Sequence, residues 1–138
     1  LNDADYMKMA CDLAQTNLGL TDPNPVVGCV IVLDHAIVGQ GVTAPGGRPH
    51  AEEQALQLAG TLALGATAYV TLEPCGARSA GGMACSVNLA QAGVARVVYA
   101  CEDGSPFASG RGSERLREAG VIVESGLMAT EISKTLNY

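Results

Sequence analysis

The chain predicts an α/β fold, a three-layer α/β/α sandwich around a five-stranded mixed sheet. Three observations point there. Its 138 residues suit one domain with a sizeable core. That core must be built from Ala, Val, Leu and Ile, because 48% of residues are hydrophobic while Trp is absent and Phe occurs once. Finally, short Val- and Ile-rich runs alternate with segments of helical periodicity, the pattern of strands joined through helices.

Taken in order, residues 3–18 place Met7, Ala10, Cys11, Ala14 and Leu18 at helical spacing, with Gly19 to close the helix. Thr21-Asp22-Pro23-Asn24-Pro25 is a loop, since two prolines one residue apart force extended backbone and remove two N–H donors. Residues 26–33 and 36–42 read as a hairpin around Asp34-His35. A second loop, Pro45-Gly46-Gly47-Arg48-Pro49, leads into a helix over residues 50–59, whose Glu52 and Glu53 suit the positive end of a helix dipole. A strand over 66–72 follows, then a helix over 84–92 that stops at Gly93 and a strand over 94–100. The chain closes with a helix over 109–119, a strand over 121–124 and a helix over 128–136. Helical crossovers make the last three strands parallel.

Composition narrows the function classes. Charged residues make up only 16%, the eight Lys and Arg are scattered, and the net charge is −6, so no basic face for nucleic acid is expected. No apolar run approaches the ~20 residues of a membrane span, and the start lacks a basic segment followed by an apolar one. Five cysteines, an odd count without a regular framework, point to a reducing compartment. A cytoplasmic protein without membrane attachment is the expectation.

Chemistry concentrates in His50-Ala51-Glu52, Pro74-Cys75 and Cys85. They supply one imidazole, two thiols and a spare carboxylate, the combination used in zinc-dependent nucleobase deamination. His50, Cys75 and Cys85 are the expected ligands of Zn2+, since a catalytic zinc takes three protein ligands and a structural one takes four. Glu52 is the expected proton carrier. Cys75 follows a strand's carboxyl end, where open α/β sheets bind ligands. His50 and Glu52 would diverge on a regular helix, so both can face one metal only off the helix's first turn. The nine residues 76–84 separate the cysteines, in place of the common Cys-x2-Cys.

With Thr71-Leu72-Glu73-Pro74-Cys75 added, the chain resembles the cytidine deaminase-like superfamily. The wide cysteine gap is similar to that of its riboflavin-biosynthesis pyrimidine deaminases. Pro23-Asn24-Pro25-Val26-Val27-Gly28, Ala92-Gly93-Val94-Ala95-Arg96-Val97-Val98, Ser109-Gly110-Arg111-Gly112 and the stretch 126–137 extend the resemblance over essentially the whole chain. It implies hydrolytic deamination of an aminopyrimidine, diaminohydroxyphosphoribosylaminopyrimidine first, by a homo-oligomer. A reductase domain commonly follows in that family; residues 1–138 read as a single deaminase domain without one.

The resemblance also implies substrate contacts from Asn24 and Asp103. Arg78 is either a phosphate contact or a solvated loop arginine. Residues 76–84 carry neither the His nor the Thr-Pro-Pro usual there, which keeps open another aminated pyrimidine or purine as substrate. The non-catalytic alternative is a structural zinc, with Cys29 or Cys101 as fourth ligand. Otherwise Cys11, Cys29 and Cys101 read as small core residues, His35 as a solvated turn residue, and Glu53 and Glu73 as structural.

Overall fold

Alternation of side chains along the central strands divides the interior into two cores, one on each face of the sheet. The computed structural model describes residues 1–76, 84–103 and 110–138. Along them run α1 (Asp3–Gln15), β1 (Gly28–Leu33), β2 (Ala36–Val42), α2 (Ala51–Ala59), β3 (Thr67–Leu72), α3 (Cys85–Gln91), β4 (Arg96–Cys101), α4 (Arg111–Glu118), β5 (Ile122–Ser125) and α5 (Ala129–Leu136). The sheet order is β2-β1-β3-β4-β5. β1 is antiparallel to both neighbours, whereas β3, β4 and β5 run parallel through helical crossovers. The predicted mixed sheet is therefore present, and its parallel part falls where the crossovers place it.

Val30 and Val32 of β1, Tyr69 of β3 and Val98 and Ala100 of β4 meet Met7, Ala10 and Ala14 of α1 and Ile132 and Leu136 of α5. The intervening residues Cys29, Ile31, Ala68, Val70, Val97 and Tyr99 pack against Ala51, Ala55 and Ala59 of α2, Leu89 of α3 and Leu116 of α4. Two helices thus cover one face and three the other. Small residues set the approach of α2: a Cβ on Gly41 of β2 would run into the Ala51 carbonyl oxygen. The helix lies against bare strand backbone, which fixes where its first turn begins.

Most element ends shift by one or two residues from the predicted bounds, β4 and α4 beginning at Arg96 and Arg111, and the first helix shifts most. The first helix stops at Gln15 instead of continuing to Leu18, because the next amides bond three residues back and Thr16 Oγ1 donates to the Leu13 carbonyl at 2.6 Å. Asn17 Nδ2 then donates to the Thr43 carbonyl at 2.9 Å, drawing the chain off the helix axis and leaving Leu18 38% exposed. The first strand begins at Gly28 rather than Val26, since the Val27 N–H donates to the Thr43 side chain at 2.9 Å. Helix α2 starts at Ala51, one residue after His50.

A charged cluster closes the end of the sheet where β4 begins. Arg96 Nη1 and Nη2 donate to the two Asp3 carboxylate oxygens at 3.1 and 2.6 Å, and Nε and Nη2 reach Glu124 at 3.1 and 2.8 Å. Its guanidinium holds both carboxyls below their usual range. Among the described residues no helix is long and apolar enough to cross a membrane.

Candidate functional site

The site forms beyond the carboxyl end of β3, where two helix starts converge. His50 is the residue that precedes α2, with extended backbone at φ −72° and ψ 159°. Glu52, by contrast, lies in the first helical turn. The break between extended and helical backbone turns both side chains toward one cavity, which their spacing on a regular helix would forbid. Cys75 follows β3 by three residues, and Cys85 opens α3.

Short bonds tie these pieces together. The Cys85 backbone N–H donates to Cys75 Sγ at 3.1 Å, and the Ser86 N–H donates to the Cys75 carbonyl at 3.1 Å. His50 Nδ1 lies 3.3 Å from Cys85 Sγ. One ligand atom from each of His50, Cys75 and Cys85 falls within 4.8 Å of the others, the one such group of three among the described residues. One imidazole nitrogen and two sulfurs are a donor set that zinc favours.

The electrostatics suit metal binding and proton transfer. The Cys75 thiol is pulled down to about 4, first by its hydrogen bond with the Cys85 side chain, with His50 assisting and burial opposing. It is thus available as the thiolate, the form that ligates metals. Glu52 is only 4% exposed. Burial drives its carboxyl up to about 7, with the Cys75 charge adding and the nearby His50 and Cys85 opposing. A carboxyl poised there can both take and release a proton near neutral pH. Cys29 is pushed well above its ordinary value, chiefly by burial and then by Glu52, so it remains a core thiol.

The cavity encloses about 150 Å³, and Asn24, Thr43, Glu73 and Asp103 line it together with Glu52 and the three ligand residues. The Asn24 backbone N–H closes a local turn onto the Thr21 carbonyl at 3.0 Å, while its side-chain Nδ2 donates across to the Gly47 carbonyl at 3.1 Å. Asp103 stands half-buried at the rim. Arg78 lies outside the described residues. Cys101 Sγ points away, donating to the Ala129 carbonyl at 3.4 Å, and neither it nor Cys29 joins the three ligand residues. The core reading of Cys11, Cys29 and Cys101 agrees with their burial, and His35 is exposed in the hairpin turn.

Three further residues, in the cavity wall or behind it, carry no predicted role in the site. Thr43 is 2% exposed and bonded to Val27. Glu73, read as merely structural, is part of the cavity wall. Tyr138 buttresses the site from behind: its hydroxyl donates to the Val26 carbonyl at 2.6 Å and lies 2.7 Å from Thr71 Oγ1. Its single proton being used, it accepts from Thr71, whose oxygen in turn accepts from the Gly28 N–H at 3.1 Å. The adjacency of Glu73 to Pro74-Cys75 was the one available signal; Tyr138 offered none.

Comparison with known proteins bears on this geometry. Residues 1–101 match the family described as the cytidine and deoxycytidylate deaminase zinc-binding region. The riboflavin biosynthesis protein RibD of Escherichia coli (strain K12) is 50% identical over 131 residues, 95% of this chain and 35% of the relative. The structure of Acinetobacter baumannii RibD, form 2, superposes with a TM-score of 0.93 at 46% identity, covering 98% of this chain and 38% of that one. That of a Thermotoga maritima diaminohydroxyphosphoribosylaminopyrimidine deaminase/5-amino-6-(5-phosphoribosylamino)uracil reductase gives 0.89 at 36% identity, over 98% and 39%. The chain spans about a third of the length of such curated relatives.

Proposed function

We propose that this chain, which belongs to the cytidine and deoxycytidylate deaminase zinc-binding family, is a zinc-dependent hydrolytic deaminase, a hydrolase acting on a cyclic amidine. The substrate we assign is an aminopyrimidine, diaminohydroxyphosphoribosylaminopyrimidine of riboflavin biosynthesis. The observation that carries the reading is the buried Glu52 carboxyl sharing one cavity with the His50, Cys75 and Cys85 donors. The 50% identity to RibD and the 36% identity to the Thermotoga maritima deaminase/reductase support that substrate.

His50 Nδ1, Cys75 Sγ and Cys85 Sγ would hold the zinc. Bound there, the ion supplies Lewis acidity, which makes water nucleophilic at neutral pH. Glu52 accepts a proton from the attacking water and passes it to a ring nitrogen, then takes the remaining proton from the hydroxyl added to the ring carbon and delivers it to the departing amine. The ring C–NH2 bond is replaced by C=O and ammonia leaves. Asn24, already pinned to Gly47, and Asp103 orient the ring from the rim. The enclosing walls keep bulk water from the Glu52 carboxyl, which maintains its proton affinity near working pH.

Residues 1–138 are assigned as one deaminase domain. The five cysteines, none of them in a disulfide among the described residues, support a reducing, cytoplasmic setting. Leu58, Leu62 and Leu64, exposed by 68%, 52% and 70%, support a homo-oligomer. Purified zinc-loaded protein should release ammonia from the assigned pyrimidine, at one zinc per chain. If that compound were inert while another aminated base were consumed, the mechanism would stand and the substrate would fall.

A further inference from the structure

Glu73 does more in this fold than precede the Pro74-Cys75 motif. It is 4% exposed and borders the cavity. Its Oε1 accepts from the Gly110 N–H at 3.0 Å and, at a long 3.5 Å, from the Asp103 N–H. Its Oε2 accepts from the Ser113 N–H at 3.2 Å and Ser113 Oγ at 3.3 Å. The Ser113 hydroxyl proton being directed at Glu73, Tyr99 OH donates to Ser113 Oγ at 2.7 Å.

This pattern replaces a missing cap. Gly110 precedes α4 and has no side chain to accept from the first turn. The Glu73 carboxylate supplies that acceptor from 40 residues away in sequence, at the Ser113 amide. Contact is direct as well as polar, for a Cβ on Gly112 would run into the Pro74 carbonyl oxygen. The start of α4 and the backbone at Asp103 are therefore both referenced to the loop that carries Cys75.

The geometry points to Glu73 as a positioning residue for deamination, acting through Asp103: by holding Asp103 and Gly110 on one carboxylate oxygen, it sets the Asp103 side chain against the substrate. This rests on the substrate-side role proposed for Asp103. Glu73→Gln keeps the shape but turns an NH2 donor toward groups that are themselves donors, so it satisfies only part of the set. The expected result is a rise of about tenfold in KM, the equivalent of one lost charge-assisted bond, with kcat within about twofold and zinc content unchanged. In an Asp103→Asn background the same change should add nothing to KM, because the two act as one unit.

Amide exchange on the zinc-loaded protein without substrate gives a second readout. Glu73→Gln should lose protection at Asp103, Gly110 and Ser113 while core strands exchange as in the parent. Should Glu73→Gln fail to fold, Ser113→Ala removes one of the donors to Glu73, together with the acceptor of Tyr99 OH, and KM should still rise, by about threefold. The proposal is overturned if KM is unchanged, if zinc is lost, if the Glu73 and Asp103 effects multiply, or if the three amides stay protected. A parent protein inert toward the pyrimidine would refute the assigned substrate, and the exchange experiment would still decide whether Glu73 clamps the two segments.

Discussion

Replacing Glu52 by Gln should make the metal-stripped protein more stable while removing its activity. The carboxyl is buried, and its proton affinity rises from an ordinary 4.5 to about 7. A raised folded-state pKa means that the native protein holds this proton more tightly than the unfolded chain does. Its stabilising contribution is complete below pH 4.5 and is lost as pH rises through about 7. At 1.36 kcal/mol per pKa unit, the ionised carboxylate costs the folded state on the order of 3 kcal/mol above neutrality. The Glu52→Gln amide keeps the shape without the charge and escapes that cost. Urea unfolding in the presence of a chelator, at pH 5 and pH 8, compares the two; removal of metal matters because a dication beside the carboxylate changes its proton affinity. The variant should come within about 1 kcal/mol of the parent at pH 5 and exceed it by about 3 kcal/mol at pH 8. With zinc restored, it should retain the ion and lose about 10²–10⁴-fold in kcat, the usual contribution of a positioned acid–base. A variant less stable at pH 8, or as active as the parent, would refute the reasoning.

The remaining expectations concern the ligands, the rear of the site and the far end of the sheet. Cys75→Ser removes a thiolate ligand, so its zinc affinity, read by chelator competition, should fall by more than the ~10–100-fold that outer-shell changes cost. Tyr138→Phe deprives the Val26 carbonyl of its donor and Thr71 of its acceptor. It should cost about 1–3 kcal/mol in urea unfolding, and no loss would show that the phenol does not support the site. Asp3→Asn weakens the Arg96 pair. The Asp3 carboxyl sits below its usual 3.8, so its stabilisation is present above that pH and disappears as pH falls through the lower folded value. The Tm difference between parent and variant should be seen at pH 7, correspond to at most ~1 kcal/mol because the pair is part-exposed, and vanish in acid and in high salt.

The fold was legible because its signals are local. Val- and Ile-rich runs marked β1 to β4, and glycines at 19, 93 and 120, all of which adopt positive φ, marked where helices give way. The ligand residues were legible for a different reason: imidazole, thiol and carboxylate carry chemistry that can be read without coordinates. What escaped was long-range. Leu18 lies at helical spacing but is left outside, since Asn17 is pulled toward Thr43, 26 residues away. Tyr138 and Val26 are 112 residues apart, and no pattern in either segment announces their bond. Glu73 was visible as a motif neighbour, but its work at Gly110 and Ser113 depends on α4 arriving at the same sheet end.

The two-residue spacing of His50 and Glu52 shows how a small backbone choice creates the site. On a continuous helix their side chains would differ by about 200° around the axis, and only one could face the cavity. Ending the helix between His50 and Ala51 removes that constraint, because an extended His50 is free of the helical rotation. The break is held in place from outside the helix: α2 rests on β2 at Gly41, and Gln54 Nε2 donates to the Pro49 carbonyl at 3.2 Å. Glu52 can then be deeply buried in the first turn while His50 reaches Cys85. The same burial that raises the Glu52 proton affinity destabilises its ionised form, so the fold tolerates a carboxylate there only by spending stability that the packed alanines and valines of both cores supply.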